Sequence, residues 1–362
     1  MNAIISRARS FCHRFGVRAP ILLAPMAGAC PPSLSIAVAN AGGLGACGVL
    51  LMQPDEILAW AAAFRANSSG AFQLNLWVPD PAPARNADNE AAIRAFLAAW
   101  GPPVAAEAGD APPLDFAAQC EAMLQAAPPV ISSVMGLYPA EFVERMKQQG
   151  IAWFATVTTL AEARAAEAAG ADAVVAQGAE AGGHRGCFDP ADAERKQVGL
   201  FSLLPAVVDT VHVPVIAAGG IADARGVAAA LVLGASAVQI GTGFLRCPEA
   251  KIHMAWADAL ARTAPEETMV SRVFSGRAGR SIANAYALAA TAVSAPSPAP
   301  YPVQRGLTAA MRATALKEGD VGRMQAWAGQ SAALAEAAPA ARVVQRAWDG
   351  AQALLEPLPQ QP

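Results

Sequence analysis

The sequence predicts an α/β fold: a closed (β/α)8 TIM barrel with a smaller, mostly helical lid or substrate domain. Three observations carry that expectation. Short apolar runs recur at roughly 20 to 35 residues between Ala-rich helical patterns, the rhythm of βα units around a parallel sheet. The joints repeat, because Ala41-Gly42-Gly43-Leu44, Ala169-Gly170-Ala171-Asp172 and Leu233-Gly234-Ala235-Ser236 each place Gly where a helix must end in a left-handed turn. Glycines also crowd the ends of the last three runs, whereas a doubly wound open sheet would put its main glycine fingerprint after the first.

In chain order, residues before Pro20 carry four arginines and no acid; a transit peptide is one reading, and a short arm leading into the first strand is the preferred one. The eight strands are PILLAP (20–25), LGACGV (44–49), FQLNLW (72–77), VISSV (130–134), IAWFAT (151–156), DAVVAQ (172–177), VPVIAA (213–218) and SAVQIG (236–241). Thr159 and Glu162 have the spacing of a capping box, and Asp223 can cap the helix after the seventh strand. A Pro-rich insert at about 79–128 and a segment after the eighth strand both lie beyond C-terminal strand ends, the active face of a barrel. This divides the chain into a barrel at 15–265 and a lid or substrate domain at 266–350.

Composition narrows the function classes. A net charge of -3 and a pI near 5.9 leave no basic footprint for nucleic acid. Pro25, Pro31 and Pro79 interrupt the best apolar runs, so no spanning helix is expected. The six cysteines are scattered with no C-x-x-C pair, which indicates neither a disulfide framework nor a zinc site and fits a reducing cytoplasm.

The chemistry gathers at the last strand ends. Gly219 and Gly220 before the Asp223 helix, together with Gly241 and Thr242 after Gln239 and Ile240, offer bare N–H groups as a cradle for a phosphate dianion. Glycines serving only tight turns are the plainer reading. Asn75 and Gln177 add amides that can meet a pyrimidine edge of a flavin or simply satisfy backbone. Of four histidines, His13 lies in the arm, His212 on the opposite face and His253 beyond the barrel; His184 alone falls on the active face. Gly182 and Gly183 let the backbone run close to a flat ligand while the His184 imidazole takes a proton from a carbon acid. Cys187 is a thiolate candidate or a solitary thiol, Glu180 orients His184 or faces solvent, and Arg277 and Arg280 clamp an anion or stay solvated. His184 lacks spaced partners, so no metal centre is expected.

The motifs APMAG (24–28), ANAGGLG (39–45), AQGAEAGGHRG (176–186), AAGGI (217–221), LGASAVQIGT (233–242), SGR (275–277) and WAGQ (327–330) resemble, in order, those of class I nitronate monooxygenases, formerly 2-nitropropane dioxygenases. The resemblance runs from about Pro20 to Ala335. It implies non-covalent FMN and oxidation of alkyl nitronates, or of neutral nitroalkanes, by O2 to a carbonyl compound and nitrite. It also implies cofactor contacts from the backbone of Ala24, Pro25 and Met26, the side chains of Asn75 and Gln177, Gly182, Gly220, and Gln239, Ile240, Gly241 and Thr242. His184 would be the base for nitroalkanes and a polar partner for the nitronate anion.

This chain departs from the family on the substrate side. It has Val134 where members carry a histidine, and Arg305 and Ala309 where they carry a second tyrosine and a lysine, while keeping Tyr301. Arg305 would replace the missing cation. Three other functions compete: an FMN-dependent enoyl-thioester reductase of the same superfamily using NAD(P)H, a flavin-free barrel isomerase or lyase acting on a sugar phosphate, and a non-catalytic flavin-binding protein.

Overall fold

The computed structural model describes residues 3–110 and 112–356. Eight parallel strands are present: β1 (Ile21–Leu23), β2 (Gly45–Gly48), β3 (Phe72–Trp77), β4 (Val130–Val134), β5 (Ala152–Val157), β6 (Ala173–Gln177), β7 (Val215–Ala218) and β8 (Ala237–Ile240). They pair in the order β1-β8-β7-β6-β5-β4-β3-β2. The last gap closes where Leu23 N donates to Leu44 O at 2.9 Å and Leu44 N to Ile21 O at 3.0 Å, so the sheet is a barrel, as the strand rhythm predicts. Gly42, Gly170 and Gly234 are all left-handed, with φ of 103°, 94° and 109°. Both predicted caps form: Thr159 and Glu162 bond reciprocally, and Asp223 accepts from Arg225 N and Gly226 N.

Alternation sorts each strand. On β3, Phe72, Leu74 and Leu76 join the outer core under the helices, which leaves Gln73, Asn75 and Trp77 on the inward face. The lower interior is apolar, built from Leu22, Leu44, Val130, Phe154 and Ile216.

The expected short arm is instead a helix, Ala3–Phe15. Its Phe11 and Phe15 enter that lower cluster, with the Phe15 and Phe154 rings edge to face at 4.8 Å. Each buried ring contributes roughly 2 kcal/mol, which explains why this segment folds back as a plug. Arg7 fastens it by donating to Ala235 O at 3.1 Å and to Leu231 O.

The chain between β3 and β4 holds the helices Ala87–Leu97 and Phe116–Ala126. The second packs as a barrel helix against Pro54–Arg65; the first puts Ile93 and Leu97 into a separate core with Phe274, Tyr286 and Leu307. The helix Ala340–Leu355 adds Val343, Val344 and Ala347 to the main core, against Ala224–Val232. It is therefore the barrel helix belonging to β8, whereas the sequence division assigns most of it to the lid. The segment that the sequence division assigns to a lid lies between β8 and that helix. Among the described residues no helix is long and apolar enough to cross a membrane.

Candidate active site

A small antiparallel sheet joins the lid to the barrel. Strand Thr268–Ser271 pairs with Gly279–Ile282, which pairs with the two residues Gly183–His184 in the loop after β6. Arg185 N continues the ladder to Ala278 O at 2.9 Å. His184 is thus held by backbone of that segment at the C-terminal end of β6.

The imidazole is walled by two indoles, with ring centroids 4.7 Å from Trp77 and 4.7 Å from Trp327. Its Nε2 lies 2.8 Å from Ser275 Oγ; the hydroxyl also accepts from Arg277 N at 3.3 Å and reaches Arg277 O at 3.1 Å. Burial pushes the imidazole pKa down to about 3, and the positive charges of Arg277, Arg305 and Arg312 add to the shift. The ring is neutral at physiological pH.

Gln177, at the end of β6, holds this loop from beneath. Its Nε2 donates to His184 O at 3.1 Å and its Oε1 accepts from Gly186 N at 2.8 Å. Gly183 is left-handed, with φ of 76°. Gly182 answers a crowding imposed by the protein itself: a Cβ there would sit 2.5 Å from Gly329 N of the WAGQ segment. Thr242 Oγ1 accepts from the same Gly329 N at 3.0 Å, linking the eighth-strand loop to the lid.

The cradle residues come together. Ala24 N donates to Ile240 O at 2.8 Å, and a Cβ on Gly241 would touch Ala24 Cβ at 3.3 Å and Met26 Sδ at 3.5 Å, so the loop of Ala24, Pro25 and Met26 borders the loop after β8. Ile240 is itself buried and can offer only backbone. Gly219 and Gly220 have φ of 112° and 69°. Among the described residues, the N–H groups of Gly219, Gly220, Gly241 and Thr242 have no hydrogen-bond partner. Next to the N-terminus of the helix Ala224–Val232, such a set suits an anion. Above the apolar plug, Asn75 and Gln239 bring an amide each to the mouth, so the residues present fit a flat ligand with a phosphate tail and a polar edge.

Several expected site residues are committed elsewhere. Glu180 neither orients His184 nor faces solvent; its carboxylate accepts from Leu200 N at 2.8 Å and caps the helix Leu200–Val208. Arg277, 1% exposed, is neither solvated nor free for an anion: it pairs with Asp80 and donates to Cys187 O. Arg280 is buried on Ala179 O and Thr268 Oγ1. Cys187 is buried, which raises its pKa and keeps it a thiol. His212 is exposed beside Glu167 at the far end, and His253 caps the helix Met254–Arg262.

On the substrate side, Tyr301 packs 5.2 Å from Trp77, and burial raises its phenol pKa. Arg305 is half-buried, and its guanidinium has no carboxylate or hydrogen-bond acceptor among the described residues. Arg312 behind it is also without a carboxylate; it rests on Thr308 Oγ1, Gln325 Oε1 and Arg305 O. Ala309 is exposed, and Val134 packs where a Cβ on Gly186 would meet it at 3.0 Å. Sequence reasoning did not single out Trp77, Ser275, Trp327 or Arg312, although Ser275 and Trp327 stand inside the quoted SGR and WAGQ motifs.

Known proteins are similar to this chain over most of its length. Residues 10–348 match the nitronate monooxygenase family. Nitronate monooxygenase of Paraburkholderia phytofirmans is 39% identical over 346 residues, covering 93% of each chain; that of Pseudomonas aeruginosa is 37% identical, covering 92% of this chain and 96% of the other. The structure of nitroalkane oxidase from Streptomyces ansochromogenes superposes with a TM-score of 0.85 at 33% identity, covering 96% of this chain and 98% of that one. With its closed barrel and a histidine loop clamped by the lid, this chain is an oxidoreductase that belongs to the nitronate monooxygenase family.

Proposed function

We propose that the protein is an FMN-dependent nitronate monooxygenase, oxidising small alkyl nitronates with O2 to a carbonyl compound and nitrite. One observation carries the choice of an anionic substrate. His184 is a neutral imidazole in the field of Arg277, Arg305 and Arg312, and Asp80, the carboxylate on Arg277, is already paired. A ring whose conjugate acid has a pKa of about 3 is a poor base for a neutral nitroalkane. The same field favours a nitronate, which arrives already deprotonated.

Bound FMN would supply an electron-accepting ring and the partner for O2. The N–H groups of Gly219, Gly220, Gly241 and Thr242 would hold its phosphate, and the backbone of Ala24, Pro25 and Met26 would flank the ring. Gly182, Gly183 and Gln177 serve by shaping the loop that sets His184 over it. Asn75 and Gln239 meet its polar edge. Arg305 and Tyr301 bind and orient the nitronate oxygens, and His184 presents Nδ1, the nitrogen not held by Ser275. Trp77 and Trp327 exclude water from that nitrogen.

The test is spectroscopic. Purified protein should be yellow, bleach under nitrogen on addition of an alkyl nitronate, and release nitrite in air. Bleaching by NAD(P)H alone would favour the enoyl-thioester reductase reading. A colourless protein that takes up no FMN would favour the flavin-free barrel.

A further inference from the structure

Two glutamines meet inside the barrel. Gln73 on β3 is fully buried, two residues before Asn75 on the inward face; Gln239 on β8 is partly open to the mouth. Gln73 Nε2 lies 3.2 Å from the backbone oxygen of Leu23 and 3.2 Å from Gln239 Oε1. An amide's nitrogen and oxygen have nearly the same shape, so partner chemistry decides which is which. A backbone carbonyl only accepts, hence the NH2 of Gln73 must face Leu23. The other N–H of that group then points at Gln239, which can answer only with oxygen. Turning Gln73 by half a rotation would set two oxygens against each other at Leu23, an arrangement with no bonding hydrogen between them. The Oε1 of Gln73 is left enclosed and without a partner among the described residues, which is consistent with an orientation dictated by its nitrogen.

We infer that Gln73 is a positioning residue that fixes Gln239 as a hydrogen-bond donor to the cofactor ring. With Oε1 turned to Gln73, the NH2 end of the Gln239 amide is the end left for the mouth. Asn75 is fixed with the opposite polarity by the same logic. Its Nδ2 donates to Ser132 O at 3.2 Å and to Ser132 Oγ at 3.0 Å, so Oδ1 is the free atom. The mouth therefore offers one fixed acceptor and one fixed donor, which matches a ring edge that carries both an N–H and carbonyl oxygens. A fixed donor also favours the ring more as it gains electrons, because the bond strengthens with charge on the acceptor. This inference rests on the flavin reading given above.

The test uses the full-length protein with FMN, comparing wild type, Gln239→Leu, Gln239→Glu, Gln73→Met and the double variant Gln73→Met/Gln239→Leu. FMN affinity is read by fluorescence quenching and the flavin midpoint potential by dye equilibration. Gln239→Leu should weaken FMN binding roughly tenfold, the loss of one hydrogen bond. Gln239→Glu keeps the shape and can still accept from Gln73, but it turns an oxygen to the ring; it should bind FMN more weakly than Leu and give the lowest potential. Gln73→Met should lower the potential towards the Gln239→Leu value, and the double variant should fall no further than Gln239→Leu alone. A Glu variant that holds FMN as tightly as wild type, or losses that add in full in the double variant, would overturn the inference. Gln73→Leu serves if the Met variant does not fold, and the order Gln, Leu, Glu at position 239 decides the polarity without either. Failure of wild type to bind FMN would sink the flavin reading itself; wild-type binding with the wrong order would sink only the assignment of Gln239 as donor.

Discussion

Nε2 of His184 stands 2.8 Å from Oγ of Ser275, and Nδ1 has no hydrogen-bond partner among the described residues. Ser275 is a positioning residue: it sits in the lid, touches the imidazole rather than the mouth, and sets the ring's rotation. Ser275→Ala should lower turnover of an alkyl nitronate roughly tenfold, the loss of one hydrogen bond, with FMN content unchanged. Steady-state nitrite release together with the visible spectrum checks this; an unchanged rate would remove Ser275 from the site.

The depressed pKa of His184 has a signed consequence for stability. An unfolded chain protonates this histidine below about pH 6.5, whereas the folded protein resists until about pH 3. Stability is therefore fully present above the unfolded value and declines as the pH falls from about 6.5 towards about 3. The slope is at most about 1.4 kcal/mol per pH unit, less the screening that partial solvent contact brings. Denaturant unfolding across this range should show a shallower decline in His184→Gln than in wild type. The turnover of a preformed nitronate should also stay level through the range where an ordinary histidine titrates.

Arg305 has no carboxylate partner among the described residues, so under the proposed function its charge would serve the substrate. Arg305→Met should raise KM for a nitronate roughly tenfold and leave FMN affinity unchanged, with the effect shrinking as salt rises. A change in FMN binding instead of KM would place this guanidinium at the cofactor.

The Asp80 and Arg277 pair ties the insert after β3 to the lid within the protein interior. Asp80→Asn leaves a buried guanidinium without its counter-charge, and should cost about 3 to 5 kcal/mol of stability. Thermal unfolding would measure this loss. A variant as stable as wild type would show that Arg277 is adequately held by Cys187 O alone.

The periodic parts of the molecule are the legible ones. Phe72–Trp77 and Val130–Val134 coincide with their apolar runs, and Gly42, Gly170 and Gly234 turn where helix must give way to strand. The helix Ala3–Phe15 is also written in the sequence: Ala8, Phe11, Cys12 and Phe15 follow a helical stripe, which the charge of the arginines between them masks. Polar side chains are harder, because their partners come from distant strands. Nothing local tells that Glu180 will cap the helix at Leu200, or that Gln177 will spend both ends of its amide on residues 184 and 186. His184 was recognisable from its glycines, yet the crowding that demands Gly182 comes from Gly329, almost 150 residues later.

Because the excursion over the barrel leaves after β8 and returns into Ala340–Leu355, it is fastened at two stems rather than hanging from one. A flap with a single stem can swing wide on one hinge; a doubly stemmed one can only breathe. The surroundings that Ser275 and Trp327 give His184 are thereby anchored from both ends of the chain segment that carries them, and not from one hinge.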